Sequence, residues 1–302
     1  GIIMLDKPED LTSFEKGAKM RRLLGTRKVG HAGTLDPMAT GVLPIFVGRA
    51  TKCCDILPNQ NKRYTATFQL GYTTDTLDAT GRVLTRTEVS ATKEDVEKAL
   101  ESFRGEIMQL PPMYSAIQIN GKRLYDLARQ GIEIEREKRP VTITELNLLS
   151  ADDAQHIYQI DVACSKGTYI RTLCADIGEA LGCGATMTAL RRTEAAGFSI
   201  ADSITLEEAE KLSEEGTLTE RLLPIRTVFE PLPALHLAGR QQTLFQNGVK
   251  LDLARLNEMK TMRGYTGDIR VMGEDDVFLG ISVADWENGE LKMKKLFSIL
   301  EG

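Results

Sequence analysis

Apolar positions recur along the chain with two periods, and these set the expected elements. Ile2 to Leu5 is a short apolar run that reads as a strand, and Val42 to Val47 reads as a buried strand. Between Lys62 and Gly71 the pattern alternates. Tyr64, Ala66, Phe68 and Leu70 share one face, the face expected to be buried. Tyr158 to Cys164 alternates in the same way, and Arg139 to Ile143 opens another strand. Helical spacing runs over Phe14–Leu24, where Thr12-Ser13 offers an N-cap and Gly25 a stop. It returns over Thr92–Phe103, with Val96, Ala99, Leu100 and Phe103 on one stripe, and over 205–223, with Leu206, Ala209 and Leu212. A further helix is expected to begin at Thr168 and to end at Gly182, and Arg49–Leu57 is a short helical candidate. After Pro231 the character shifts to short strands at Leu235–Leu237, Ile269–Val271, Phe278–Ile281 and Leu291–Met293, with one short helix over Arg240–Gly248.

The densest punctuation falls between the first two sheet segments, in Gly30-His31-Ala32-Gly33-Thr34-Leu35-Asp36-Pro37-Met38-Ala39-Thr40-Gly41-Val42-Leu43-Pro44. Pro37 biases Asp36 away from helical backbone, and the glycines admit close approaches that other residues refuse. Asp36 is thus expected on a loop braced by glycines behind and a strand ahead, a common setting for chemistry. By residue type alone, an Asp-Pro within glycines also reads as an ordinary turn. The stretch has neither phosphate-cradle spacing, GxxxxGK[ST] or GxGxxG, and His31 with Asp36 supplies too few ligands for a metal.

Composition changes this picture in two ways. The 302 residues allow two or three domains, and 42% hydrophobic with 27% charged content is globular. No run of eighteen apolar residues occurs, so no membrane span is expected. No signal peptide is visible, and the absence of a starting methionine suggests that a few residues precede Gly1. Five cysteines without CxxC spacing argue against a disulfide framework or zinc ribbon and fit a reduced, cytoplasmic setting. The net charge of −5 does not advertise a nucleic-acid binder, but it is unevenly spread. Residues 1–63 hold eleven bases and six acids, a net of +5, whereas 201–230 hold eight acids and three bases, a net of −5. The segment around Asp36 therefore suits an anionic partner, and the acidic stretch is expected elsewhere.

Taken whole, the Gly30–Pro44 string resembles the central motif of the TruB family of tRNA pseudouridine synthases, G-H-x-G-T-L-D-P-x-A-x-G-V-L-P. Lys7-Pro8 with Thr12-Ser13 is similar to that family's K-P-x-G-x-T-S, with Asp10 in the usual glycine position. Further resemblance lies in Lys62-Arg63-Tyr64 (K-x-Y), in Thr73–Gly81, in Pro111–Gly131 (P-P-x-Y-S-A, then G-x-x-L-Y-x-x-A-R-x-G), and in Ser165–Arg171 (S-x-G-T-Y-I-R). The match is dense from Ile2 to about Phe198 and looser beyond Pro231.

The resemblance implies an α+β pseudouridine synthase fold, a mixed, mainly antiparallel sheet flanked by helices and loops. It implies a catalytic domain over 1–230, with an RNA-gripping insertion around 105–139, and a small C-terminal β-barrel, PUA-like, over 231–302. Asp36 is then the nucleophile, with attack at C1′, attack at C6 and a glycal route all left open. Arg171 pairs with Asp36, its planar fork suited to both carboxylate oxygens. Tyr64 stacks on the base and takes a proton, Tyr169 contacts base or sugar, Leu190 closes the pocket, and His31 fills the space that flipped nucleotides leave. Lys7 belongs to the substrate-binding set through the architecture it supports, and Lys122, Arg123 and Arg129 are phosphate ligands on the insertion. The Thr73–Gly81 loop is assigned no chemistry. The reaction requires no cofactor or metal. The expected partner is the T stem-loop of tRNA, with uridine 55 the target; no membrane and no obligate protein partner are expected, and the chain is expected to be a monomer in the cytoplasm. The other readings are a non-catalytic tRNA chaperone, which would lack the nucleophile or the arginine, and a guide-RNA-dependent relative.

Overall fold

A computed structural model describes residues 1–9, 12–119 and 121–298; the side chains of Ile119 and Arg123 lie outside that description, as does Asp10. The chain opens with β1 (Ile2–Lys7), α1 (Ser13–Leu23), β2 (Val29–His31), β3 (Thr40–Val47) and β4 (Lys62–Leu70). The hairpin of β5 (Tyr72–Thr74) and β6 (Val83–Arg86), helix α2 (Lys93–Glu101) and β7 (Gly105–Gln109) follow. A second hairpin, β8 (Gln118–Ile119) and β9 (Lys122–Arg123), leads into α3 (Leu124–Arg129). Next come β10 (Arg139–Asp152), β11 (Ile157–Cys164), α4 (Ile170–Ala180), β12 (Ala185–Ala195), β13 (Phe198–Ser199) and α5 (Leu206–Glu214). The last stretch holds β14 (Ala234–His236), α6 (Gly239–Gln246), β15 (Leu251–Asp252), β16 (Ile269–Met272), β17 (Phe278–Asp285) and β18 (Glu290–Leu296).

Nine strands form the main sheet, in the order β1-β3-β12-β4-β11-β10-β7, with β2 on β3 and β13 on β12. Among the described residues, β3 pairs with β12 in parallel and the other strand pairs of this sheet are antiparallel. The alternation in β4 does what its period requires, since Tyr64, Ala66, Phe68 and Leu70 are all buried. They pack with Tyr158, Ile160 and Val162 of β11 and with Ile170, Leu173 and Ile177 of α4 in one core. Phe68 and Tyr158 stack there with ring centres 5.7 Å apart. A separate core joins α1 and α5 to the β1–β3 end, through Met20, Leu206 and Ala209 against Ile3, Leu5 and Leu43.

Three elements depart from the expected pattern. The 49–57 segment is a 3-10 helix over Gly48–Cys53. The 205–223 helix stops at Glu214, because Gly216 adopts a left-handed φ of 75°, and a 3-10 turn follows over Leu218–Arg221. The helix expected from Thr168 begins at Ile170 and ends before Gly182, which has φ 75°.

The C-terminal strands form a five-stranded mixed sheet, β14-β16-β17-β18-β15, a half-barrel around its own core. This sheet is packed firmly on the first. Phe278 and Phe297 meet Phe229 with ring centres 5.5 and 5.8 Å away, and Ile281 and Phe297 join Ile2, Met4 and Phe46 in a shared cluster.

Candidate active site

The Gly30–Pro44 loop leaves β2, turns at Asp36 and re-enters the sheet at β3. Its shape is fixed from below by buried polar groups. Lys7 has none of its surface exposed, and its Nζ donates to the carbonyls of Pro37 (3.0 Å) and Ala39 (2.6 Å) as well as Pro8 (3.0 Å). The Ser13 hydroxyl accepts from Leu35 N–H (3.0 Å) and donates to Leu35 C=O (3.2 Å). Arg192, also fully buried, donates from Nε to Val42 C=O (2.8 Å) and from Nη2 to Gly33 C=O (2.7 Å). Buried main-chain groups need such partners, and here charged donors supply them.

Asp36 faces a pocket of about 190 Å³ lined also by Lys62, Tyr64, Tyr169, Arg171 and Leu190. Arg171 Nε lies 3.0 Å from Asp36 Oδ2, and its guanidinium is only 5% exposed. The terminal nitrogens do not embrace the second oxygen, as a fork-to-carboxylate pair would. Nη1 donates to Thr76 C=O (3.0 Å) and Nη2 to Tyr114 C=O (2.8 Å). Arg171 thus ties the nucleophile loop to two other loops. A second carboxylate stands behind it: Asp78 Oδ2 is 3.7 Å from Nη1. Asp78 is buried, and its Oδ1 accepts from the hydroxyls of Thr76 (2.8 Å) and Thr80 (2.6 Å) and from Thr80 N–H (3.0 Å).

These surroundings set the charge on Asp36. Its carboxyl is pushed above the usual aspartate range, chiefly by burial, although 39% of the side chain remains open to the pocket. Arg171 opposes the shift, Asp78 adds to it and Lys7 opposes it again. Burial likewise raises the Tyr64 phenol, with Arg192 beside it opposing. Burial lowers the Lys62 ammonium, helped by Arg192.

The other expected site residues separate into four places. Tyr169 and Leu190 line the pocket with Asp36. Lys7, grouped above with substrate-binding residues, has no surface with which to touch one and acts on the loop from beneath. His31 is not on the Asp36 pocket. It lines a neighbouring open groove of about 590 Å³ with Phe14, Arg21, Arg27, Lys28 and Lys52. Burial holds the His31 imidazole below its usual range, with Arg192 and Arg21 adding to the effect. Lys122 and Arg129 are exposed on the insertion, the latter with its guanidinium 5.5 Å from the Tyr125 ring centre. Arg123 sits in β9, and its side chain is outside the described atoms.

Sequence reasoning missed Asp78 and the main-chain carbonyls of Thr76 and Tyr114. The Thr73–Gly81 loop, assigned no chemistry above, carries two of Arg171's contacts. Only the acid within the Thr-Asp-Thr-Leu-Asp string could have hinted at this; a carbonyl has no side-chain signature. The acidic stretch does lie elsewhere, for no acid of α5 lines the pocket, and Glu210 pairs with Lys19 of α1.

The site thus holds a carboxylate against a buried guanidinium in a pocket that the side chains of Tyr64 and Tyr169 also line. The family model described as TruB family pseudouridylate synthase (N-terminal domain) matches residues 21–170, and that of the tRNA pseudouridylate synthase B C-terminal domain matches 171–230. tRNA pseudouridine synthase B of Haemophilus influenzae (strain Rd) is 43% identical over 284 residues, covering 93% of this chain and 88% of its own. Its namesake in Azoarcus sp. (strain BH72) is 44% identical over 303 residues, covering 100% and 96%. Among solved structures, a Cbf5-Nop10-Gar1 complex contains a chain that superposes with a TM-score of 0.77 at 24% identity, over 99% of this chain and 85% of that one. That likeness speaks for the fold. The chain belongs to the TruB family of pseudouridylate synthases.

Proposed function

We propose that this chain isomerises uridine 55 in the T loop of tRNA to pseudouridine, working in the cytoplasm on the T stem-loop. The observation that carries the reading is the Asp36 carboxylate, 3.0 Å from a buried guanidinium on the floor of a pocket walled by Tyr64, Tyr169 and Leu190. A uridine inside a folded loop reaches that pocket only by leaving its stack, at a cost of a few kcal/mol. Tyr64 then offers a face for stacking, and Leu190 an apolar wall. Asp36 attacks the nucleoside as a carboxylate, with Arg171 fixing its aim. The N1–C1′ bond breaks, the base turns and a C5–C1′ bond forms; Asp36 is released as a free carboxylate, and the proton lost from C5 is matched by one gained at N1. Atoms and electrons balance within one nucleoside.

The groove beside the pocket supports an RNA partner, since Arg21, Arg27, Lys28 and Lys52 line it together. Residues 1–230 act as the catalytic unit, with the insertion gripping the stem through Lys122 and Arg129, and 231–302 as an RNA-binding unit of PUA type. The test is to incubate the protein with an unmodified T stem-loop and map pseudouridine by chemical derivatisation. Asp36→Asn is expected to abolish product while RNA affinity stays within about threefold, a change under 1 kcal/mol. Turnover by Asp36→Asn near the wild-type rate would overturn the assignment.

A further inference from the structure

Gln109 is the last residue of β7, at the point where the chain leaves the sheet for the insertion. Its side-chain amide is 2% exposed and makes two hydrogen bonds to one residue. Oε1 accepts from Tyr169 N–H at 2.8 Å, and Nε2 donates to Tyr169 C=O at 3.0 Å. A glutamine here pairs with a peptide unit in both directions, as a neighbouring strand would. Tyr169 is the N-cap of α4 and makes no side-chain capping bond of its own; its carbonyl also accepts the first helical bond, from Leu173 N–H at 3.1 Å. Two residues further on stands Arg171, whose Nε holds Asp36 and whose Nη2 reaches Tyr114 C=O inside the insertion.

We infer that Gln109 is a positioning residue, which locks the start of α4 to the root of the insertion and so sets where Arg171 and Tyr169 stand over Asp36. The inference rests on the proposed isomerase reading. It goes beyond that reading by assigning a role in the reaction to a side chain that lines no part of the pocket. A leucine or methionine of similar volume would fill the space but leave both main-chain groups of Tyr169 without this partner. A glutamate supplies the acceptor at any pH but the donor only when protonated. Ionised, it places negative charge against the Tyr169 carbonyl oxygen. Burial and that carbonyl both raise its pKa above the ordinary ~4.3 of a glutamate, into a range where the enzyme can be assayed.

The experiment measures single-turnover pseudouridine formation on T stem-loop RNA, with RNA affinity and thermal melting measured in parallel. Gln109→Met is expected to slow the reaction by about 10²-fold, as a small displacement at a catalytic centre does, with RNA affinity changed by less than about threefold. Gln109→Glu is expected to be slow at about pH 8 and to recover toward the wild-type rate, compared at each pH, as the pH falls to about 5.5, where its carboxyl gains the proton it needs to donate. A merely structural glutamine would show no such pH-dependent rescue. A Gln109→Met rate equal to wild type, or a Gln109→Glu to wild-type ratio that stays flat with pH, would overturn the inference. If the wild-type protein itself makes no pseudouridine, the functional reading fails instead.

Discussion

The ionised form of Asp36 is one that its surroundings partly oppose. Burial pushes the carboxyl up and Asp78 adds to this, while Arg171 and Lys7 pull it down. In the proposed reaction the active form is the carboxylate, so turnover is expected to be lost as pH falls through the raised value. The acid limb of kcat/KM is therefore expected above the ordinary aspartate pKa of about 3.9. The same shift means that protonation favours the folded state: that stabilising contribution is complete below the unfolded pKa and is lost as pH rises through the folded one. The two flanking residues act with opposite sign. Arg171→Gln removes the main opposing charge, so the acid limb moves to higher pH and kcat drops. Asp78→Asn removes a repelling charge, so the limb moves to lower pH. A pH–rate series on the three proteins checks this, and limbs that coincide, or shift in one direction only, would refute the electrostatic account. The Asp36 loop stood out in the sequence, with glycines, prolines and an acid in fifteen consecutive residues, but residue types alone read it equally as a turn, and the role given to Asp36 came from the family resemblance. Its partners were legible only as far as they are side chains with a family pattern. Arg171 stands 135 positions away and was recovered by resemblance; the carbonyls that orient it were not recoverable by any reading of residue types.

Among the elements, the parallel pairing of β3 with β12 matters most, because it brings Arg192 beneath the Asp36 loop. The register sets Gly41 opposite Arg192. Gly41 has φ 105°, and a Cβ there would strike the Arg192 main chain. Gly41→Ala therefore combines a disfavoured backbone with a clash at a sheet centre. It is expected to destabilise the fold by about 3 kcal/mol, the upper end for single substitutions, and to disturb Arg192's bonds to Gly33 and Val42. Denaturant unfolding measures this directly, and a loss below about 1 kcal/mol would show that the strands can part without harm. Strand β12 is also where the hydrophobic pattern was least informative. Arg192 is fully buried, Leu190 faces the pocket, and register shifts between Met187 and Ala189 and between Arg192 and Glu194 break the alternation. By contrast β4 keeps strict alternation over nine residues and was read correctly from period alone.

For the molecule as a whole, net charge and local charge point in opposite directions. The chain carries −5, which repels a polyanion at long range, yet Arg21, Arg27, Lys28 and Lys52 converge on one groove beside the Asp36 pocket. Phe14, 67% exposed at that groove with the Arg21 guanidinium 5.6 Å from its ring centre, adds an aromatic face. Several acids outside the groove lining are paired: Glu210 of α5 with Lys19 of α1, and Asp268 with Lys294 in the C-terminal part. The packed aromatic seam of Phe229, Phe278 and Phe297 keeps the two sheets together. If the groove carries the RNA backbone, affinity must fall with salt as each neutralised phosphate releases counterions. Lys28 is an exposed member of that lining, so Lys28→Ala is expected to weaken T stem-loop binding and to flatten the slope of log K against log salt by about 0.7–0.9, one phosphate contact, while kcat at saturating RNA is preserved. Substituting Glu220, on the acidic segment outside the groove, is expected to leave the slope unchanged. Equal slopes for the wild type and Lys28→Ala would place the phosphate contacts on another face and leave the groove without its electrostatic role.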